Sequence, residues 1–250
     1  MRNRLLDIGK KMNQNHAEEL SNILRANGAS LVGYADLQEI SPDMRNNYTA
    51  GISIAVALGP RIVAGIQGGP TPEYYAEYNR VNSLLDKLGH LAVRYLTEQE
   101  ERAEWLPATE SFIDAETLST PLPHKTAATR AGLGWIGKCA LLVTREYGSA
   151  VRITTVLTDA SMTTGQPVNT SLCGECTACV DACPGQAPSG RNWDVDLHRD
   201  SFFDAFACRK AAHKLARENI GVDNSICGKC IVVCPWTKKH LERAGQTGLR

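Results

Sequence analysis

The chain has 250 residues, 43% hydrophobic and 22% charged, which suits an ordinary soluble globular protein with one medium domain and a small satellite. Lys plus Arg equals Asp plus Glu at 27 each, without the basic excess of most nucleic-acid binders. The basic N-terminus "MRNRLLDIGKKMNQ" lacks an apolar core of signal-peptide length, and the most apolar window, "AGISIAVALGPRIVAGI", is broken by Gly, Pro and Arg before it could span a bilayer. The expected compartment is the cytoplasm, and there nine cysteines argue against a disulfide framework.

Residues 1–27 read as a helix, with Leu5, Leu6, Ile8, Met12, Leu20, Ile23 and Leu24 near helical spacing. "SLVGYAD" and "ISIAVAL" are short β-branched runs bounded by Gly, Pro or Asp and read as buried strands. The clearest helix runs from Pro72 to Glu98, its apolar face traced by Tyr74, Tyr78, Val81, Leu85, Leu88, Ala92 and Tyr95. After the Pro-rich "LSTPLPH", residues 124–131 read as a helix and "AGLGWIG" as a Gly-rich turn. "CALLVT" and "VRITTVLTDA" supply two more strands. The alternation implies an α/β layer domain. Past "MTTGQPVNT" the composition changes, with eight of nine cysteines between 173 and 234, so the expected division is 1–165 and 166–250.

The cysteines carry the strongest signal. "CGECTACVDACP" places Cys173, Cys176, Cys179 and Cys183 in the C-x₂-C-x₂-C-x₃-C-P run of bacterial ferredoxins, whose fourth cysteine ligates the other cluster. "CGKCIVVCP" repeats half of it with Cys227, Cys230 and Cys234, and Cys208 is the only unassigned cysteine of the region. Cross-ligation then gives one 4Fe-4S cluster on Cys173, Cys176, Cys179 and Cys234 and a second on Cys183, Cys208, Cys227 and Cys230. Zinc also suits CxxC pairs but explains neither the third close cysteine nor the Cys-Pro endings. Eight thiolates and two cores of about +2 each would bring the loaded chain to about −4. Cys139, outside this region, reads either as a small buried hydrophobe or as a thiol near a cofactor.

The stretch "RAGLGWIGKCALLV", 130–143, followed by the double-cluster motif, resembles the epoxyqueuosine reductase family and, more remotely, the reductive dehalogenases. The match covers about half the chain, from Thr120 to Thr237, and Cys208 falls where the family has its intervening cysteine. The resemblance implies a flavin-reductase-like α+β layer domain that binds a corrinoid, fed by a C-terminal ferredoxin-like domain with two 4Fe-4S clusters. Flavin is the alternative occupant, because the related fold serves both. Gly132, Gly134 and Gly137 would let a backbone approach a flat ring, Trp135 offers it an apolar face, and Lys138 and Cys139 complete the segment. His124, Lys125 and Arg130 share one short helix as candidate donors to corrinoid amides or an anionic substrate. His124 titrates in a range useful for a proton source, and Tyr147 in "TREYGSA" is a further candidate acid. An ungapped match on Pro121 and Arg130 puts Leu118 where the family has its catalytic aspartate, leaving Asp114, four residues upstream, as the candidate.

Family members continue past the second Cys-Pro in helical repeats that help bind tRNA, whereas this sequence ends at Arg250. Together with the charge, this sets the expectation against tRNA, and the broken apolar window sets it against a membrane. The expected function is an iron–sulfur, cobalamin-dependent reductase acting on an unnamed substrate, supplied by a donor such as a ferredoxin or flavodoxin. The alternative is a ferredoxin-like electron carrier that serves a partner enzyme and does no chemistry of its own.

Overall fold

The run "ISIAVAL" becomes the central strand of a four-stranded sheet in the computed structural model, which describes residues 16–108 and 113–246. The strands are β1 (Leu31–Asp36), β2 (Ala50–Ala57), β3 (Ala103–Leu106) and, later in the chain, β6 (Val151–Thr158), in the order β1-β2-β6-β3. Every pairing is antiparallel, with Leu31 opposite Ala55, Ala50 opposite Thr158 and Ala103 opposite Thr158. Alternating strands and helices in a sequence do not fix strand direction, and here long crossovers return each strand against its neighbour. The middle six residues of β2 are all buried because helices cover both faces of the sheet.

One face carries helix α1, residues 16–26, and the long helix α3, Pro72–Glu98. Leu20, Leu24, Ile52, Ile54, Val56, Val81, Leu85, Leu88 and Val156 form a single buried cluster between them. The first half of the helix expected over 1–27 lies outside the described residues. Helix α3 begins where its sequence dictates: Pro72 occupies the first turn, and the Thr71 hydroxyl accepts the Tyr74 amide at 3.2 Å. Between β2 and α3 lies the short helix α2, Pro60–Ala64. The other face of the sheet carries helix α4, His124–Arg130, with Leu122, Ala131 and Leu157 in a second buried cluster beside Leu37 and Tyr48.

Two elements differ from expectation. β3 was not expected: it is a four-residue, half-buried edge strand carrying Glu104, too short and too mixed to show a period of two. Trp105 secures it, donating to the Thr154 hydroxyl at 3.0 Å and lying 4.4 Å from the His90 ring. The strand expected over "CALLVT" shrinks to β5, Leu142–Val143, paired with β4, Trp135–Ile136. The Gly-rich turn and this run thus close on each other as a small hairpin apart from the main sheet.

The cysteine-rich part is built from short helices: α5 (Ala178–Asp181), α6 (Ala205–Ile220), α7 (Lys229–Val232) and α8 (Pro235–Gln246). The sequence repeat is a structural repeat. α5 carries Cys179, α7 carries Cys230, and the two helices pack together. Ala216, Ile226, Ile231 and Val232 belong to the same buried cluster as α3, so the cysteine-rich part shares its apolar support with the sheet domain.

Candidate metal centre

All nine cysteines are free thiols. Cys173, Cys176, Cys179 and Cys234 line one cavity of about 180 Å³, the set that the C-x₂-C-x₂-C run and the second Cys-Pro were expected to supply. Cys230 lies on the same wall. The other group is Cys183, Cys208 and Cys227. Burial pushes the Cys208 thiol up to about 11, and charge on Cys183 and Cys227 adds to the effect. Cys227 is raised likewise, by burial and then by Cys183. Burial raises the Tyr74 hydroxyl, and both Cys230 and Cys227 add to the effect.

Thiols crowded in this way resist ionisation until a positive core compensates them, the electrostatic condition of a metal–thiolate site. Among the described residues no three Cys, His, Asp or Glu side chains converge on one point as they would on a single ion. The first set instead surrounds a space with room for several heavy atoms. That arrangement suits a polynuclear core better than tetrahedral zinc.

The "GLGWIG" turn meets the first set. Trp135, fully buried, donates from Nε1 to Cys173 Sγ at 3.4 Å and packs edge-on against Trp236, their ring centroids 5.2 Å apart. A Cβ placed on Gly137 would lie 3.6 Å from Cys173 Sγ and 3.7 Å from Cys139 Sγ. Lys138 and Cys139, both buried, complete the wall. Cys139 is held well above the ordinary thiol range: its contact with Cys179 opposes the shift, and Cys230 and burial together outweigh it. Its two sequence readings were a small buried hydrophobe and a thiol near a cofactor; the residue is buried and lines the first cavity.

The other glycines of the turn are taken up by the protein itself. A Cβ on Gly134 would overlap the Val143 carbonyl oxygen, so this residue closes the β4–β5 hairpin. Gly132, at φ +74°, would place a Cβ 2.7 Å from the Gln166 carbonyl oxygen. At these two positions the backbone leaves no cradle for a flat ring.

The three residues of α4 are equally engaged. Arg130, buried, donates to the Val168 carbonyl at 3.0 Å and to Asn169 Oδ1, clasping the connection to the cysteine-rich part. Lys125 donates to the Ala140 carbonyl at 2.9 Å, and burial lowers it to about 8. His124 Nε2 lies 2.9 Å from the Pro107 carbonyl, which can only accept, so this nitrogen carries the proton. In the neutral ring Nδ1 then accepts from the Thr155 hydroxyl, 3.0 Å away. Burial lowers His124 to about 4, with the Pro107 carbonyl opposing and the Arg152 charge adding. It is neutral near pH 7, and the imidazolium expected as a proton source is absent there.

Asp114 sits on an exposed turn, its Oδ1 accepting the Thr117 amide and hydroxyl, each at 2.7 Å. These bonds hold its carboxyl below the usual carboxylate range. Arg199 fastens the same turn through the Thr117 and Leu118 carbonyls. Tyr147 packs edge-on against His240, centroids 5.1 Å apart, where the 144–149 turn meets α8. None of the three candidate acids lines the first cavity.

His124 carries a testable consequence. Its folded pKa lies below the unfolded value of 6.5, so the unfolded chain binds more protons between pH 4 and 6.5 and stability rises with pH across that window. Acidification from pH 6.5 to 4 should therefore cost about 3 kcal/mol through this residue. Urea midpoints measured anaerobically at both ends of the window should fall less for His124→Asn than for wild type. Equal falls would show that His124 is not the group responsible.

Sequence reasoning missed Trp236, Trp193 and Phe202. Trp236 lines the first cavity, and the two others are buried in one cluster with Trp135. Trp236 was findable, since it follows a ligand Cys-Pro pair. The others lie between the two cysteine runs, outside either motif, and give no local sign.

Comparison with known proteins follows the same outline. The family model described as "4Fe-4S double cluster binding domain" matches residues 172–237, which bracket all eight cysteines of the two groups. An epoxyqueuosine reductase of Synechococcus sp. (strain RCC307) is 32% identical over 175 residues, covering 70% of this chain and 50% of that protein. The chain spans about half the length of the curated relatives it matches. Among solved structures, the catabolic reductive dehalogenase NpRdhA in complex with 3-bromo-4-hydroxybenzoic acid superposes with a TM-score of 0.70 at 16% identity, covering 94% of this chain and 34% of that one. An epoxyqueuosine reductase solved with a tRNA-Tyr epoxyqueuosine-modified stem loop gives 0.59 at 22% identity, covering 88% and 65%. These likenesses show the fold. The expectation against tRNA gains no support from them, since one neighbour was solved holding a tRNA stem loop.

Proposed function

We propose that this chain, a relative of the epoxyqueuosine reductases over most of its length, is an iron–sulfur oxidoreductase that passes electrons through two 4Fe-4S clusters toward its α/β part. The observation that carries the reading is the shared first cavity: both cysteine runs line it, and so do Gly137, Lys138 and Cys139 from the other side. An electron on the first cluster would thus sit against the sheet domain. Residues 1–165 would receive the electrons and 166–250 would hold the clusters. Among the described residues no helix is long and apolar enough to cross a membrane, and we place the protein in the cytoplasm.

The acceptor is the finer part of the proposal. A corrinoid is supported by the fold shared with a dehalogenase whose structure is described as suggesting a mechanism for B12-dependent dehalogenation. It is opposed by the packing of Gly132 and Gly134, and we derive no step through it. Substrates and partners of the relatives, tRNA included, enter at the same level. The second reading, an electron carrier serving a partner enzyme, is favoured by the engagement of His124 and Asp114 in internal hydrogen bonds.

The visible spectrum and iron content of anaerobically reconstituted protein, before and after adding cobalamin, separate these readings. About eight irons per chain and a cobalamin spectrum that shifts on binding are expected of the reductase. About eight irons with no cobalamin affinity would leave the carrier. About one or two metals per chain, as zinc, would end both.

A further inference from the structure

Helix α6 has two unlike faces. Toward the interior it presents small residues: a Cβ on Gly185, two residues past Cys183, would meet the Ala207 carbonyl at 2.6 Å and Ala211 Cβ at 3.0 Å. Cys208 and the buried Ala212 and Ala216 belong to the inward side, so the helix lies directly against the second thiol group. The outward side is a stripe at helical spacing of Phe206, Arg209, Lys210, Lys214 and Arg217, all exposed. With His213 it lines an open groove of about 720 Å³.

A basic stripe alone is an ordinary solvated face. Phe206 is what makes this one different, being a phenyl ring 52% exposed at one end of the cations. One acidic group, the exposed Asp204, caps the helix beside Phe206, its Oδ1 accepting the Ala207 amide at 2.9 Å, and the others lie at the far end. Glu218 lies 3.8 Å from Lys214, and Asp223 accepts from His213 at 2.8 Å and Arg217 at 2.9 Å. Arg209 and Lys210, beside Phe206 and Cys208, have no ion-pair partner among the described residues.

We propose that the outer face of α6 is the docking surface for a small acidic one-electron donor of the ferredoxin class, which reduces the second cluster across the helix. This rests on the iron–sulfur reading above and adds the entry point. The width of one helix, about 10 Å with side chains, separates the stripe from the Cys208 side. The exchange is a single electron: the donor is oxidised by one, the cluster domain is reduced by one, and no bond or proton changes place. Charge complementarity selects the partner. Two unpaired cations around an apolar contact suit the small, transient, salt-sensitive interfaces of redox proteins. An RNA surface would keep more of its cations free for phosphates than this one does, where Lys214 and Arg217 already face carboxylates.

The test uses the reconstituted protein with both clusters, mixed anaerobically with a reduced acidic plant-type ferredoxin, the bleaching of its visible absorbance being followed. At low salt the double variant Arg209→Glu/Lys210→Glu should be reduced about 10-fold more slowly than wild type. Raising salt from about 10 to 300 mM should slow wild type and leave the variant little changed. Phe206→Ser should weaken equilibrium binding of the oxidised ferredoxin. Reduction by dithionite, which needs no docking surface, should be the same for all three proteins, and it also shows that their clusters are intact. Equal ferredoxin rates in wild type and charge variant, or a salt-independent wild-type rate, would overturn the proposal. So would loss of tRNA stem-loop binding in the variant with its ferredoxin rate unchanged. If dithionite bleaches nothing even in wild type, the iron–sulfur reading fails first.

Discussion

Cys234→Ala is expected to remove the first cluster and leave the second, and Cys208→Ala to do the reverse. Each variant should keep about four of about eight irons and one of two distinct reduced-state electron paramagnetic resonance signals. The reason lies in the crossed wiring. Cys234 belongs to the second run but lines the cavity of Cys173, Cys176 and Cys179. Cys208 belongs to neither run, yet its thiol, pushed up first by burial, is raised further by Cys183 and Cys227. Cys230 is the discriminating position, because it lines the first cavity while the ferredoxin pattern assigns it to the second set. If the ferredoxin pattern holds, Cys230→Ala should match Cys208→Ala in the signal it loses. Should it match Cys234→Ala instead, the assignment of the two sets is wrong. Retention of about eight irons by Cys208→Ala would show that it is no ligand, and Cys139, already on the cavity wall, would become the candidate.

The second large effect is expected at Gly148, next to Tyr147 in "TREYGSA". This residue adopts φ +59°, and a Cβ there would overlap the amide nitrogen of Thr237. Thr237 is fully buried, its hydroxyl accepts the Ser149 amide at 3.1 Å, and Gly148 and Thr144 exchange backbone hydrogen bonds at 2.8 and 3.0 Å. Valine at 148 would add about 1–2 kcal/mol of left-handed strain. Overpacking against backbone that cannot turn aside adds about 1–3 kcal/mol. A total near 4 kcal/mol is a large part of the 5–15 kcal/mol that holds a typical domain. At this chain length it corresponds to a fall of about 10 °C in melting temperature. Because Cys234 precedes Thr237 by three residues, the first cluster should be lost before the second as the variant is warmed. Scanning calorimetry with cluster absorbance followed in parallel checks both statements. An unchanged melting temperature would mean that the 144–149 turn is not held against α8 as described.

The sequence by itself determined what depends on near neighbours. Ligand spacing in "CGECTACVDACP" and "CGKCIVVCP" is a property of one loop each, so seven of the eight candidate ligands were legible before any fold was known, whereas Cys208 lies in neither loop. Helix α3 was legible to the residue, because Pro72, the Thr71 cap and its apolar face are local signals. The buried character of β2 followed from a continuous β-branched run. Tertiary structure decided what depends on which surfaces meet. It set the antiparallel strand order, which no local pattern encodes. It turned the "GLGWIG" segment toward the Cys173 loop through Trp135 and spent Gly134 on its own hairpin, where the sequence had suggested a flat ring. It also neutralised His124: an imidazole on a short helix reads as a proton source until the Pro107 carbonyl and Thr155 hydroxyl, seventeen and thirty-one residues away, enclose it. Cys139 shows the division most directly. Its neighbours in sequence make it a small apolar residue, and only long-range packing of both cysteine runs brings its thiol to the cluster cavity.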